Sequence, residues 1–251
     1  PHWIQPVLTY MESQPNMAAC QPKIMDYHRK TWFEYAGACG GYMDKDYYAF
    51  CAGRIFFAFE EDVDQYQGNA EVFWASGAAM FIRRAAWQEV SGLDEDFFAH
   101  MEEIDLCWRL KNRGYSVGAC LESKVYHYGG GTLDRQSPFK TYLNFRNNLF
   151  MLLKNHRGSL LLFKVMRRLL LDGIAGIRFL LEGKPSHMFS VLKAHFAFYF
   201  KLGVMLRKRR TELQASNNPN LRGLYRESII KHFFLQKRRK FSDLEMSRFE
   251  N

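Results

Sequence analysis

Apolar residues recur at helix or strand spacing through most of the first 155 positions. Residues 2–14 place four apolar side chains on one helical face: Trp3, Val7, Leu8 and Met11. A buried strand is predicted over 17–24. The pattern then predicts a strand over 72–82 interrupted at Gly77, helices over 84–90 and 102–113, a helix stop at Gly114, and a strand over 117–125 that ends at Tyr126 and His127. Alternating strands and helices indicate an α/β layered fold.

The rest of the chain divides by pattern. Residues 35–70 are rich in Gly, Tyr and acids without a sustained period, so we expect a long irregular region there. Beyond Pro138 the period is helical, over 139–155, 159–181 and 187–209, and the last forty residues are weakly patterned and expected to be partly mobile. The predicted divisions are a domain over 1–155, amphipathic basic helices over 156–210 and a basic tail over 211–251.

Composition and charge narrow the class of protein. The 251 residues are 47% hydrophobic and 24% charged, which excludes a disordered or fibrous chain. No uncharged apolar stretch reaches the length of a membrane-spanning helix. Residues 1–150 carry 14 Lys and Arg against 19 Asp and Glu, and residues 151–251 carry 21 against 7. This asymmetry predicts a catalytic or binding domain followed by a segment that attaches to an anionic partner.

The cysteines and the first residue add two expectations. The five cysteines are odd in number and none is spaced as C-x-x-C, so we expect reduced thiols in a cytosolic compartment. The chain opens at Pro1 without a starting Met, and we expect it to be a piece of a longer protein.

Paired acids give the strongest chemical signal. Glu102 and Glu103 open the helix predicted over 102–113, where the helix dipole favours ionised carboxylates. A carboxylate at the edge of a cleft can accept a proton from an incoming hydroxyl. Acidic residues are also ordinary in a first helical turn, so a purely structural role stays open.

Three other segments carry weaker signals. His127 ends a strand beside Gly129, Gly130, Gly131 and Thr132, where an imidazole could bind a divalent metal and loop N–H groups could approach phosphates. Trp74, Ser76 and Gly77 offer small residues and an aromatic ring to a sugar or nucleotide, and Arg146 could bind an anion. Each also has an ordinary structural explanation, as a packed histidine, a flexible turn, a core strand or a solvated helix face.

Four blocks together resemble glycosyltransferase family 2, the inverting nucleotide-sugar transferases of the GT-A fold, and most closely its bacterial rhamnosyltransferase-like branch. They are WASGAAMFIRR at 74–84, GLDEDFFAHMEEIDLCWR at 92–109, VYHYGGGT at 125–132 and YLNFRNN at 142–148. The resemblance covers residues 1–155 and implies an α/β GT-A domain followed by amphipathic helices.

The resemblance also implies roles for residues. Glu103 takes the position of the general base that deprotonates the acceptor hydroxyl, with Glu102 beside it, although the family more often has Asp there. His127 takes the position of the histidine that helps to hold Mg²⁺ or Mn²⁺ on the donor diphosphate. Asp105 and Arg109 take positions that support the helix.

The resemblance implies an inverting transfer of a sugar from a nucleotide-diphosphate donor to a glycan or polyprenyl-linked acceptor, and we expect this transfer to serve cell-surface polysaccharide synthesis. The nucleotide-binding half with its D-x-D motif is expected upstream of Pro1, so the chain alone is expected to be inactive. The alternative is a non-catalytic membrane- or protein-attachment module with a remnant transferase fold.

The basic helices indicate where in the cell the protein is expected to lie. Leu- and Phe-rich faces interleaved with Lys and Arg over 159–209 predict helices that lie on an anionic membrane surface, and the resemblance implies the cytoplasmic face of the cell membrane. Packing on the domain or dimerisation would explain the same pattern. Nucleic-acid binding is not expected, because the basic residues alternate with Leu rather than with stacking aromatics.

Overall fold

The computed structural model describes residues 2–129, 137–215 and 218–250. The chain forms two compact units, one of residues 1–92, 106–129 and 218–251, the other of residues 93–105 and 130–217. The boundaries of both units differ from the domain boundaries that the sequence predicted at residues 155 and 210. A physical reason lies in the C-terminal segment, where the Ile229 N–H donates to the buried Asp44 carboxylate at 2.8 Å and so ties the end of the chain to the first unit.

The first unit is built on a four-stranded sheet. Its order is β6 (Asn69–Val72), β8 (Ser116–His127), β1 (Met17–Asp26) and β7 (Phe81–Ile82). Strands β1 and β8 are parallel, and the other pairs are antiparallel. Helix α1 (Ile4–Ser13) covers this sheet through an apolar cluster of Val7, Met11, Met17, Cys20 and Cys120. The predicted first helix, first strand and strand before His127 are confirmed. The strand predicted over 72–82 is wrong for residues 73–80, because β6 ends at Val72 and β7 covers only Phe81–Ile82.

A second sheet lies where an irregular region was predicted. Its order is β5 (Ala58–Phe59), β4 (Arg54–Ile55), β3 (Ala49–Cys51), β2 (Gly41–Asp44) and β9 (Leu224–Tyr225). These strands are two to four residues long and largely buried on both faces, so they show no alternation of apolar and polar positions. Helix α2 (Arg84–Glu89) follows as predicted.

The C-terminal residues belong to this first unit. Tyr225, Phe233, Phe241 and Phe249 are buried, and Tyr225 and Phe249 bring their ring centroids within 4.7 Å. The prediction of a partly mobile tail is therefore wrong for residues 218–250, because dispersed aromatic residues bury the segment although it has no helical or strand period.

The second unit is helical. Helix α3 (Glu102–Asn112) begins in it, and the unit continues with α4 (Pro138–Asn155), α5 (Leu161–Leu181), α6 (Pro185–Phe200) and α7 (Leu202–Gln214). The Ser137 hydroxyl caps α4 by accepting from the Lys140 N–H, and Pro138 takes the first turn, where no donor is needed. The single helix predicted over 187–209 is broken at Lys201, between α6 and α7.

Two findings relate to the predictions about reduced thiols and membrane-spanning helices. All five cysteines lie at described, buried positions and form no disulfide. Across the described residues, no single helix combines the length and hydropathy of a membrane span; α6 and α7 do so only as a pair that bends by 63°.

Candidate active site

The carboxylate pair predicted from the sequence lies at the start of α3. Glu102 and Glu103 are half-buried, the Oε2 atom of each is shielded from solvent, and the two carboxyl groups are within hydrogen-bonding reach of each other. Burial raises the pKa of both groups, and the charge of Glu102 raises the pKa of Glu103 further, to about 7. The backbone N–H groups of Glu103 and Ile104 oppose this by favouring the ionised form. Glu103 is therefore poised to exchange a proton near neutral pH.

The backbone that presents this pair is strained. Phe98 has φ 65° and ψ −62°, and the Ala99 N–H donates to the Phe97 carbonyl at 2.8 Å, so residues 97–99 form the rare γ-turn with positive φ at its centre. His100 and Met101 follow with φ of 65° and 71°. Three non-glycine residues with positive φ within the four positions before Glu102 indicate a backbone conformation that the surrounding residues must enforce.

Asn147 of helix α4 supplies that enforcement. Its fully buried Nδ2 donates to the carbonyls of Phe97, Ala99 and His100 at 2.9, 2.8 and 2.7 Å. These carbonyls belong to the strained turn, so one side chain fixes the loop that leads to the two carboxylates.

The neighbouring Arg146 acts on the same loop. Its Nη2 donates to the carbonyls of Asp96 and Phe97 at 3.1 and 2.9 Å, and its Nε donates to Asn147 Oδ1 at 2.9 Å. Its guanidinium is thus engaged by the loop backbone, which gives it a positioning role, and the substrate contact predicted for it stays a prediction.

Asp105 fixes the first turn of α3, which also carries Glu102 and Glu103. The Asp105 carboxylate is fully buried and accepts from Lys154 Nζ at 2.8 Å and from Asn155 Nδ2 at 2.7 Å. Lys154 also reaches Asp94 at 2.6 Å. Burial alone would raise the pKa of Asp94, but the charge and hydrogen bonds of Lys154 and Lys208 lower it to about 2. The carboxylates of Asp94 and Asp105 are therefore each paired with a lysine ammonium in the second unit.

Arg109 lies in the part of α3 that belongs to the first unit. It is buried, and its Nη2 donates to the Gly92 carbonyl at 2.7 Å while its Nη1 donates to the Val90 carbonyl. Arg109 thereby fixes the turn that ends α2, where Gly92 has a φ of +66°.

His127 ends β8 in the first unit and lies beside a carboxylate that sequence reasoning missed. Its Nδ1 lies 3.2 Å from Glu34 Oε2, and the Glu34 side chain is buried. Glu34 follows the Met25–Phe33 bridge, and Met25 on β1 is paired with Tyr126. No local motif could have joined residues so distant in sequence, because the strand register alone brings them together.

This pair is too small a ligand set for a hard divalent cation. Mg²⁺ prefers an octahedron of oxygen ligands, whereas the pair offers one imidazole nitrogen and one carboxylate. Over residues 2–129, 137–215 and 218–250, no group of three His, Cys, Asp or Glu side chains could hold a metal. His127 and Glu34 alone thus do not make a complete site for such a cation, and the metal role of His127 stays a prediction.

The other predicted substrate contacts in the first unit are mostly packed. Trp74 is buried with its ring against Gly41, and its Nε1 donates to the Tyr42 carbonyl at 3.0 Å. Ser76 is also buried, and its N–H donates to Gln21 Oε1 at 2.8 Å. These contacts give Trp74 and Ser76 a packing role, and their predicted contact with a sugar stays a prediction.

Two glycine predictions stand apart from this core. Gly77 is exposed, in the turn that precedes β7. Of the predicted diphosphate loop, Gly129 is described, at the end of the first described stretch, and Gly130, Gly131 and Thr132 lie outside the described residues.

Two clefts among the described residues lie elsewhere in the first unit. One of about 650 Å³ is lined by Glu71, Arg222 and Phe249, and another of about 550 Å³ by Asn16, Asn220 and Leu221 among others. Neither is lined by a residue that the sequence analysis assigned to catalysis or binding.

Comparison with known proteins agrees with the resemblance seen in the sequence. The model of the family described as glycosyl transferase family group 2 matches residues 1–174. Since this is more than half of the chain, the protein belongs to that family, and its mixed α/β sheets and helices agree with a GT-A-like domain.

Two characterised relatives are similar over shorter stretches. A low-salt glycan biosynthesis hexosyltransferase, Agl10 of Haloferax volcanii, is 31% identical over 74 residues, 29% of this chain and 24% of the relative. The N-acetylglucosaminyl-diphospho-decaprenol L-rhamnosyltransferase of Mycobacterium tuberculosis is 29% identical over 87 residues, 35% of this chain and 28% of the relative. The matches span about a quarter of each relative's length.

Proposed function

We propose that the protein takes part in inverting glycosyl transfer from a nucleotide-diphosphate sugar to a hydroxyl of a glycan or polyprenyl-linked acceptor, in cell-surface polysaccharide synthesis. Membership of glycosyl transferase family group 2 supports the class of reaction. The names of the two relatives support the acceptor chemistry, since one acts on a diphospho-decaprenol and the other in glycan biosynthesis.

The observation that carries the proposal is the pair of solvent-shielded carboxyl groups of Glu102 and Glu103 at the start of α3. Two carboxyl groups this close cannot both ionise easily, so one of them holds a proton that it can exchange with a ligand hydroxyl. The raised pKa of Glu103, with the neighbouring charge of Glu102, suits a group that accepts a proton at neutral pH.

The proposed step is a single displacement. The acceptor oxygen forms a bond to the anomeric carbon as the bond from that carbon to the diphosphate oxygen breaks, and the leaving diphosphate takes the electron pair. The acceptor proton passes to Glu103. The attack comes from the face opposite the leaving group, so the anomeric configuration inverts. Asn147 and Arg146 hold the turn so that the carboxylate keeps its place during the step.

The test is transfer by the product of the complete gene. It is incubated with a panel of nucleotide-diphosphate sugars and a polyprenyl-diphosphate-linked acceptor, and the product is analysed by NMR for sugar transfer and anomeric configuration. We expect one donor to support transfer with inversion. Absence of transfer from every donor would leave the attachment module as the better account, and retention of configuration would overturn the single displacement.

We keep the prediction that the 251-residue chain alone does not turn over. Release of nucleoside diphosphate by the isolated chain, at a rate comparable to that of the complete gene product, would contradict it.

A further inference from the structure

Helix α5 of the second unit carries an exposed apolar stripe along its whole length. Six side chains spaced three or four residues apart form it, each between 56% and 83% exposed: Phe163, Met166, Leu170, Ile174, Ile177 and Leu181. At 1.5 Å per residue the stripe is about 27 Å long. A continuous exposed apolar surface of this kind on one helix marks an interaction site.

Helix α6 carries a similar stripe, formed by Phe189, Leu192, Phe196, Tyr199 and Phe200, with Phe200 at 95% exposed. The two helices pack on each other, and Gly176 of α5 faces Val191 of α6. Their other faces are already used inside the unit, since Val191, Ala194 and Phe198 of α6 are buried. The stripes are thus the sides that the unit itself leaves exposed.

Polar contacts fix the orientation of α5. Arg168 Nε donates to Asp172 Oδ1 at 2.9 Å, and Arg168 Nη1 donates to Asn148 Oδ1 of α4 at 2.6 Å. Both Arg168 and Asp172 are buried. Turning the stripe inward would expose or break this pair, so the apolar side stays outward.

The charges around the two stripes are mostly positive. From residue 161 to 214 the chain has eleven Lys and Arg against three Asp and Glu, and one of each, Arg168 and Asp172, is buried in a pair. Arg167 follows Met166 of the first stripe, and Lys193 and Lys201 adjoin the second. The Arg178, Lys184 and Lys201 side chains are about half exposed. Arg178 and Lys184 share the single carboxylate of Glu182, and Lys201 pairs with Asp96, so the border keeps an excess of positive charge beside Glu182.

From this surface we infer that α5 and α6 bind an anionic lipid bilayer, with the two stripes in the acyl-headgroup boundary and the flanking cations on lipid phosphates. A second copy of the chain is the less suitable occupant. Pairing the same face of two copies would bring two positive borders together, whereas a bilayer supplies both apolar depth and negative charge.

The test is co-sedimentation of the 251-residue chain with vesicles of phosphatidylcholine containing phosphatidylglycerol, and with phosphatidylcholine alone. The double variant Ile174→Glu with Phe196→Glu places two charges on the stripes at exposed sites. Val63→Glu is the matched control, because Val63 is 72% exposed in the first unit. We expect binding to the anionic vesicles, weakened about tenfold or more in the double variant and unchanged in the control.

Three results would overturn the inference: no binding of the wild-type chain to anionic vesicles, equal binding by the double variant, or a lipid-free dimer in analytical ultracentrifugation that the double variant dissociates. The last would assign the surface to a second copy. The vesicles contain no donor or acceptor, so a failure here is distinct from a failure of the proposed transfer reaction.

Discussion

Replacing Glu103 by Gln separates the role of this carboxylate in activity from its effect on stability. In the folded protein burial and the charge of Glu102 raise the pKa of Glu103 from 4.5 to about 7. The folded state then holds the proton more tightly than the unfolded chain, so ionising Glu103 costs stability. That cost is absent below the ordinary carboxyl pKa, grows as the pH rises and is complete above about 7.

The magnitude follows from the shift. At about 1.4 kcal/mol for each pKa unit, the full cost is of the order of 3 kcal/mol. Glu103→Gln removes the charge with little change of shape. We therefore expect the variant to be more stable than the wild type by up to about 3 kcal/mol near pH 8, and the two proteins to converge near pH 4.

Urea unfolding of the 251-residue chain, followed by tryptophan fluorescence at the two pH values, measures this difference. Glu122→Gln is the matched control, since Glu122 is exposed on β8, and we expect a change below about 0.5 kcal/mol at either pH. A Glu103→Gln protein that is less stable than the wild type near pH 8, or whose advantage does not depend on pH, would refute the reasoning.

Three further substitutions test the groups that hold this pair. Asn147→Ala removes the donor to three loop carbonyls, so we expect the free energy of unfolding in urea to fall by about 2–4 kcal/mol. We also expect a lower kcat/KM in the complete gene product, and an unchanged kcat/KM would contradict the positioning role. Phe98→Gly relieves a positive φ at a 75% exposed side chain, so we expect about 1 kcal/mol of stabilisation in thermal unfolding, and a lower Tm would show that the turn is not strained. Lys154→Met leaves Asp105 buried without its ammonium partner, so we expect a loss of about 3–5 kcal/mol, and a loss below about 1 kcal/mol would contradict the buried pairing.

The sequence predicted those elements that have a long, clear period. Helices α3, α4 and α5 and strands β1 and β8 each repeat an apolar position often enough to be read locally. Gly114, with a φ of +86°, ends α3 as expected, because few other residues adopt that backbone conformation readily.

The missed elements are those that depend on tertiary contacts. Strands β2 to β5 are too short to show a period, and the C-terminal segment is buried by aromatic residues that lie far apart along the chain. The break at Lys201 was missed because the apolar pattern continues from α6 into α7.

The candidate site shows the same division. Glu102 and Glu103 could be identified from the residues around them, since an acidic pair at a helix start has a local signature. The contact of Asn147 with the carbonyls of the strained turn could not, because backbone acceptors leave no trace in residue type. The neighbours of His127 were missed for a related reason, since strand register places Glu34 beside it.

The most direct test of the central claim is the pH dependence of kcat/KM in the complete gene product, with wild-type Glu103 and with Glu103→Gln. If this carboxylate takes the acceptor proton, kcat/KM of the wild type rises with pH through about 7. The kcat/KM of the variant is then at least about a hundredfold lower, although the variant still binds the nucleotide sugar. A variant within a few-fold of the wild type, with the same rise near 7, would show that another group removes the proton.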